Sequence, residues 1–169
     1  MEASDVTDLL HTLAEVSIAF VGFSTIVAAL SVRDGSSFKL YSIRDVAIVG
    51  LIALGAALLP LSLNSFALDQ DLIWQTSSLM FSVGWVLSAI WGIRTYRRNV
   101  DASVIPRYLS VGPVAGVIAN PVLLSNVVFP NPYSGPLYVA SLNLLLVFVS
   151  VSFVAATFHD YLGQSNTGV

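Results

Sequence analysis

From Tyr108 to Phe158 the chain carries no charged residue. Two further uncharged stretches run from Val46 to Leu68 and from Leu72 to Ile93, and a fourth apolar stretch over 9–32 is interrupted only by His11 and Glu15. Each is at least as long as the ~20 apolar residues that cross the hydrocarbon core of a bilayer. A water-soluble fold has no use for so many, because charged residues make up only 10% of this chain against roughly 25% in soluble domains. The fold class expected is therefore all-α, a polytopic helical membrane protein forming a single transmembrane domain over 1–169.

The longest uncharged stretch is too long for one crossing. Its middle, "FPNPYSGP" from Phe129 to Pro136, concentrates proline, asparagine and glycine, which favour turns over helix interiors. Dividing it there gives five spans, at about 9–32, 46–68, 72–93, 108–129 and 137–158, and leaves no soluble domain. The fourth is the weakest, since Pro113 and Pro121 each remove a backbone donor. It is expected to be kinked or broken, and a re-entrant fourth segment would reverse the fifth.

All seven basic residues fall in two connections: Arg33, Lys39 and Arg44 after the first span, and Arg94, Arg97, Arg98 and Arg107 after the third. Glu2, Asp5, Asp8, Asp69 and Asp71 lie in the N-terminal tail and the second connection. By the positive-inside rule the N-terminus faces out and the C-terminus in. Trp74, Tyr133 and Tyr138 would then mark the outer interface, and Tyr41, Trp91, Tyr96, Tyr108 and Tyr161 the inner one. An acidic N-terminus is unlike the basic start of a secretory signal, so the first span is expected to be a retained anchor.

Helices in lipid associate through close backbone approach, which favours small residues at contacts. Gly84, Ser88 and Gly92 form such a stripe on the third span, Gly50, Ala53 and Ala57 on the second, and Ala19, Gly22 and Ala29 on the first. The first-span stripe shares its face with His11 and Glu15, so Glu15 is expected to point into protein.

Intramembrane polar groups are costly unless they meet one another or water. On the five-span topology Glu15, Asn64 and Asn143 lie toward the outer side, with Asn120 near mid-depth beside Pro121. This suggests an outward-facing polar vestibule lined by Glu15, Asn64, Asn120 and Asn143, with His11 one helical turn from Glu15. The competing reading leaves Glu15 reaching headgroup water, His11 as an interfacial partner and the asparagines as bonds between helices.

Other chemistries find little purchase. There is no cysteine, hence no disulfide, thiolate metal site or cysteine nucleophile. His11 and Glu15 have a spacing that lets two side chains share a metal, but His159 and Asp160 belong at the opposite surface, so no metal site, catalytic residue or cofactor is expected. The few basic residues are accounted for by topology and lipid headgroups, which leaves no nucleic-acid surface.

The first-span wording "AEVSIAFVGFSTIVAAL", with Gly22, Phe23 and Ser24 after an acidic residue and Arg33 just beyond it, resembles small uncharacterised bacterial inner-membrane proteins. The resemblance implies a multi-pass protein of a bacterial cytoplasmic membrane and transfers no activity. Three functional classes fit the residues: a homo-oligomeric channel or transporter for a small ion or solute, which is preferred; a non-catalytic accessory or scaffolding subunit of a larger membrane complex; and, last, a membrane enzyme or metal-site protein.

Overall fold

A computed structural model describes the backbone of residues 3–31, 37–99, 111–129 and 131–164, and the side chains of 5–30, 43–95, 98, 116–129 and 131–154. Five helices follow one another: α1 (Ala3–Ser31), α2 (Ser37–Asn64), α3 (Gln70–Asn99), α4 (Val111–Val128) and α5 (Ser134–Gln164). There is no strand among the described residues. Four of them hold apolar segments long enough to cross a bilayer: Asp5–Leu30, Ile43–Asn64, Gln70–Thr95 and Ser134–Val154. Large apolar side chains such as Phe23, Ile26, Leu51, Leu87, Val117 and Val147 are exposed around the bundle. That is the surface lipid requires, and the protein is a helical membrane protein.

The fourth span departs from expectation. Instead of breaking at its prolines, Val111–Val128 is one helix with Pro121 inside it. Its 18 residues rise ~27 Å, a little short of a ~30 Å hydrocarbon core. It also does not fold back midway. Gly116 lies against Trp85, Asn120 bonds Ser82 and Val127 bonds Gln75, so α4 runs antiparallel along α3. Among the described residues the count is therefore four full-length apolar spans and one shorter helix packed with α3 and α5. Residues 108–110 and the Pro113 side chain lie outside those described.

The connections explain the alternation. Asp69 accepts the first helical hydrogen bond of α3, from the Ile73 N–H at 3.0 Å, and Asp71 in the first turn favours the positive end of the helix dipole. Between α4 and α5, the Asn131 side chain accepts from the Tyr133 N–H at 2.8 Å, while the Ser134 hydroxyl accepts from the Asn131 N–H at 3.1 Å. This reciprocal cap, with Pro132 just after the capping residue, makes the proline-rich segment a tight turn. Asp5, Asp8, Asp69 and Asp71 consequently gather at one end of the bundle, here the acidic end. Arg44, Arg94 and Arg98 lie toward the other, the basic end, where the Arg44 guanidinium sits 4.5 Å from the Trp91 ring centre and pairs with Asp45 at 3.4 Å. Arg33, Arg107 and Tyr108 and the side chains of Lys39, Arg97, Tyr41, Tyr96 and Tyr161 lie outside the described residues.

Tyr138 was expected at an interface and is instead fully buried. Its ring contacts Trp74 and Phe81, and Phe81 stacks on Trp85, so aromatic side chains fill the space between α3 and α5. The reason for its burial lies in α2. Pro60 is inside that helix and has no N–H for the carbonyl of Ala56, four residues earlier. The Tyr138 hydroxyl donates to that carbonyl at 2.6 Å. A tyrosine on α5 thus satisfies the acceptor that a proline on α2 leaves open.

Candidate functional site

Polar groups gather in three places: a cavity at the acidic end, a seam between α3 and α4, and the outer face of α1. The cavity, of about 240 Å³, is a half-open cleft lined by α1, α2, α3 and the segment leading into α5, with Asn64, Gln70 and Pro132 exposed at its mouth. Its lining is mixed: Leu10, Pro60, Ile73 and Trp74 are among the apolar residues, and Thr7, Asn64 and Gln70 are polar. Asn64 Oδ1 accepts from Gln70 Nε2 at 3.3 Å, linking the end of α2 to the start of α3. Gly135 leaves room for the Trp74 ring in this wall, since a Cβ there would lie 2.9 Å from Trp74 Cζ2.

The seam is a ladder of side-chain bonds. Gln75 Nε2 donates to the Val127 carbonyl at 3.2 Å, and Asn126 lies beside Ser78 at 3.5 Å. Deeper in, the Ser82 hydroxyl donates to Asn120 Oδ1 at 2.6 Å, and Asn120 Nδ2 donates to the Gly116 carbonyl at 2.9 Å. Residues 75, 78 and 82 follow the spacing that keeps side chains on one helical face. Asn126 is fully buried and donates to the Ser134 carbonyl at 3.1 Å, while its Oδ1 has no hydrogen-bond partner among the described residues.

The face of α1 carrying Glu15 turns away from the bundle, contrary to the expectation from sequence. His11, Glu15, Ala19, Gly22 and Ala29 are all exposed, whereas Leu10, Leu13, Ala14, Ser17 and Ser24 are buried. The cause is that the α1–α2 contact is close-packed from one side. On α2, Gly50, Ala53 and Ala57 are buried and make room for larger α1 side chains. A Cβ on Gly50 would stand 3.0 Å from Val21 Cγ2 and 3.8 Å from Phe20 Cβ. Small residues on α2 suffice, so those on α1 are left outside. A Cβ on Gly22 would meet nothing within 4 Å.

The same contact fixes the depth of Glu15. Gly50 faces Ser17, Phe20 and Val21 in an antiparallel pair, so Glu15 lies roughly one turn, ~6 Å, toward the acidic end, level with Leu54. Leu54 is near the middle of the span Ile43–Asn64. Leu10 and Pro60 sharing one cavity wall give the same register. Glu15 is thus set well inside the apolar depth and not near its edge, about 15 Å along the helix from the level of Asn64.

The five vestibule residues do not converge. His11 and Glu15 share the outer face of α1; Asn64 alone of the five lines the cavity. Asn120 is engaged in the seam, and Asn143 is exposed on α5 and donates to the Val139 carbonyl of its own helix at 3.1 Å. Of the packing residues, Gly84 lies against Ile52, with 3.6 Å from its Cβ position to Ile52 Cγ2, and Gly92 lies near Asp45. Ser88 bonds the Trp85 carbonyl at 2.8 Å. Gly22 makes no such contact.

What sequence reasoning missed is the pairing. Asn126 and Gln75 to Ser78 are legible as polar residues of α4 and α3, but their opposition follows only from helix register. Among the described residues no group of three His, Asp or Glu side chains could hold a metal ion; the side chains of His159 and Asp160 lie outside them. No protein-family model, characterised protein or solved structure matches the chain.

Proposed function

We propose that this chain is a subunit of a homo-oligomeric membrane assembly that passes a small cation or proton, with Glu15 on the path between copies. The observation that carries this reading is the position of Glu15, exposed on α1 and well inside the apolar depth. A carboxylate facing lipid at that depth is costly, and such groups characteristically face protein or water. Copies related by an axis normal to the membrane bring residues of equal depth together. Glu15 then meets its counterpart, and His11 meets its own one turn nearer the acidic end. Two carboxyl groups sharing a proton are self-complementary, because a protonated one donates and an ionised one accepts. The small side chains of Ala19 and Gly22 let the α1 backbones approach.

In this reading the acidic end faces outward and the basic end the cytoplasm, following the positive-inside rule, and the resemblance of the first span points to a bacterial cytoplasmic membrane. The test is proton and monovalent-cation flux into vesicles containing the purified protein, with Glu15→Gln and Glu15→Asp alongside. Flux that falls at least tenfold in Glu15→Gln and survives in part in Glu15→Asp supports the reading. Flux equal in all three, in protein of unchanged oligomeric state, removes Glu15 from the path.

A second reading, an accessory subunit of a larger membrane complex, is favoured by the aromatic filling around Tyr138, which occupies the space a conduit through one copy would need. It predicts a stable partner on purification and no flux at all.

A further inference from the structure

We infer that the cavity at the acidic end is a binding site for a small uncharged amphiphile, one with an apolar ring or short chain and a hydroxyl head. This is independent of the α1 face and of any flux. Four features support it.

The walls are preformed. Pro60, Pro132 and Pro136 have fixed φ angles, and the Trp74 ring packs against Tyr138. A site that needs no ordering on binding loses less affinity to entropy.

The lining contains no Asp, Glu, Lys, Arg or His. No side chain of the lining offers an ion an opposite charge, which favours an uncharged occupant. Besides Thr7, the polar groups are two exposed amides at the mouth with capacity to spare. The bond from Gln70 Nε2 to Asn64 Oδ1 engages one N–H and one oxygen, and leaves Asn64 Nδ2 to donate and Gln70 Oε1 to accept. A hydroxyl fits that pair, since it accepts from the first and donates to the second.

Size sets the body. A volume of about 240 Å³ exceeds the ~150 Å³ apolar cavity known to admit benzene, and falls below the ~300 Å³ at which drug-sized pockets begin. One ring with a short substituent matches it. Finally, the cavity lies at the level of Asn64 and Thr7, the margin of the apolar depth, where amphiphiles concentrate.

The test uses 4-bromobenzyl alcohol as the probe, whose bromine quenches a nearby indole, and tryptophan emission of the full-length protein in phosphatidylcholine vesicles. Trp74 lines the cavity whereas Trp91 is exposed on the lipid side near the basic end. A saturable component of quenching is expected, superimposed on the linear quenching that bilayer partitioning gives. It should vanish in Trp74→Phe and shift to roughly fivefold higher concentration in Asn64→Leu, the loss of about one hydrogen bond. The anion 4-bromobenzoate should give no saturable component.

Repeating the titration with the same aryl alcohol bearing a long alkyl chain, delivered only within the bilayer, identifies the source of the ligand. Saturation by the short probe alone means entry from water, and saturation by both means entry from lipid. Strictly linear quenching of the unmodified protein by both probes overturns the proposal. So does a saturable component that Asn64→Leu leaves in place, and this second criterion holds even where Trp74→Phe does not fold.

Discussion

Polar groups inside the bundle and polar groups on the outer face of α1 meet the same apolar surroundings in opposite ways. Inside, two contacts draw their partner from another helix: Tyr138 serves the Ala56 carbonyl that Pro60 leaves open, and Ser82 serves Asn120, whereas Ser17 bonds its own helix and Asn126 Oδ1 has no partner among the described residues. Each of these pairs is closed within one chain. Outside, His11 and Glu15 stand exposed beside Ala19 and Gly22, with no helix over them among the described residues. The contrast separates residues that build the fold from residues whose environment must come from elsewhere. Substitutions inside should destabilise the fold, while substitutions on the open face of α1 should leave it intact and change what the protein assembles with or conducts.

The largest effect on stability is expected at Gly135. A methyl group there would stand 2.9 Å from Trp74 Cζ2 and 3.1 Å from Trp74 Cε2, against a rigid ring that is itself packed on Tyr138. Gly135→Ala should cost about 1–3 kcal/mol, the range for overpacking a filled site. Equilibrium unfolding in mixed detergent measures it. A neutral outcome would mean that Trp74 has room to move, and would weaken both the aromatic core and the cavity wall.

Next comes Tyr138→Phe, which keeps the ring and leaves the Ala56 carbonyl unpaired. A cost of about 1–2 kcal/mol is expected, near the upper end for hydrogen bonds between membrane helices. Pro60→Ala restores the N–H that this carbonyl lacks, so in that background the tyrosine hydroxyl should matter less. A double-mutant cycle reads the coupling directly. Strict additivity would show that Pro60 and Tyr138 are unconnected, and with it the reason for burying a tyrosine hydroxyl here would be lost.

The comparison also shows why some features were legible in the sequence and others were not. Helix count and order follow from uncharged length and from turn chemistry, both local, and the capped turn at Asn131 is readable residue by residue. Alternation of acidic and basic connections is likewise a property of the chain alone. The inward faces are not, because in lipid no polarity difference sorts a helix surface. On α1 the visible stripe of small residues faces out, since Gly50, Ala53 and Ala57 on α2 already allow the approach. Depth was misread for the related reason that register is set by contact: Glu15 counts as near the end of its own apolar stretch, yet packing places it level with Leu54. The break expected in α4 does not occur, because one proline within a helix packed on two neighbours need not interrupt it.

The smallest effects are the most informative about the open face. Replacing glycine by alanine in a helix gains roughly 0.5–1 kcal/mol where space allows. At Gly50 the added methyl stands 3.0 Å from Val21 Cγ2, on a branched side chain with little freedom at χ1, so the clash should outweigh the gain. At Gly22 nothing lies within 4 Å, and Gly22→Ala should be neutral or slightly stabilising to a dispersed single chain in dilute detergent. In a bilayer at high protein density, the same Gly22→Ala should weaken self-association measured by energy transfer between labelled copies, if α1 backbones approach there. Opposite signs in the two conditions would mark Gly22 as a contact between copies. A neutral result in both would mean that lipid covers this part of α1, and Glu15 would then need water or a different protein beside it.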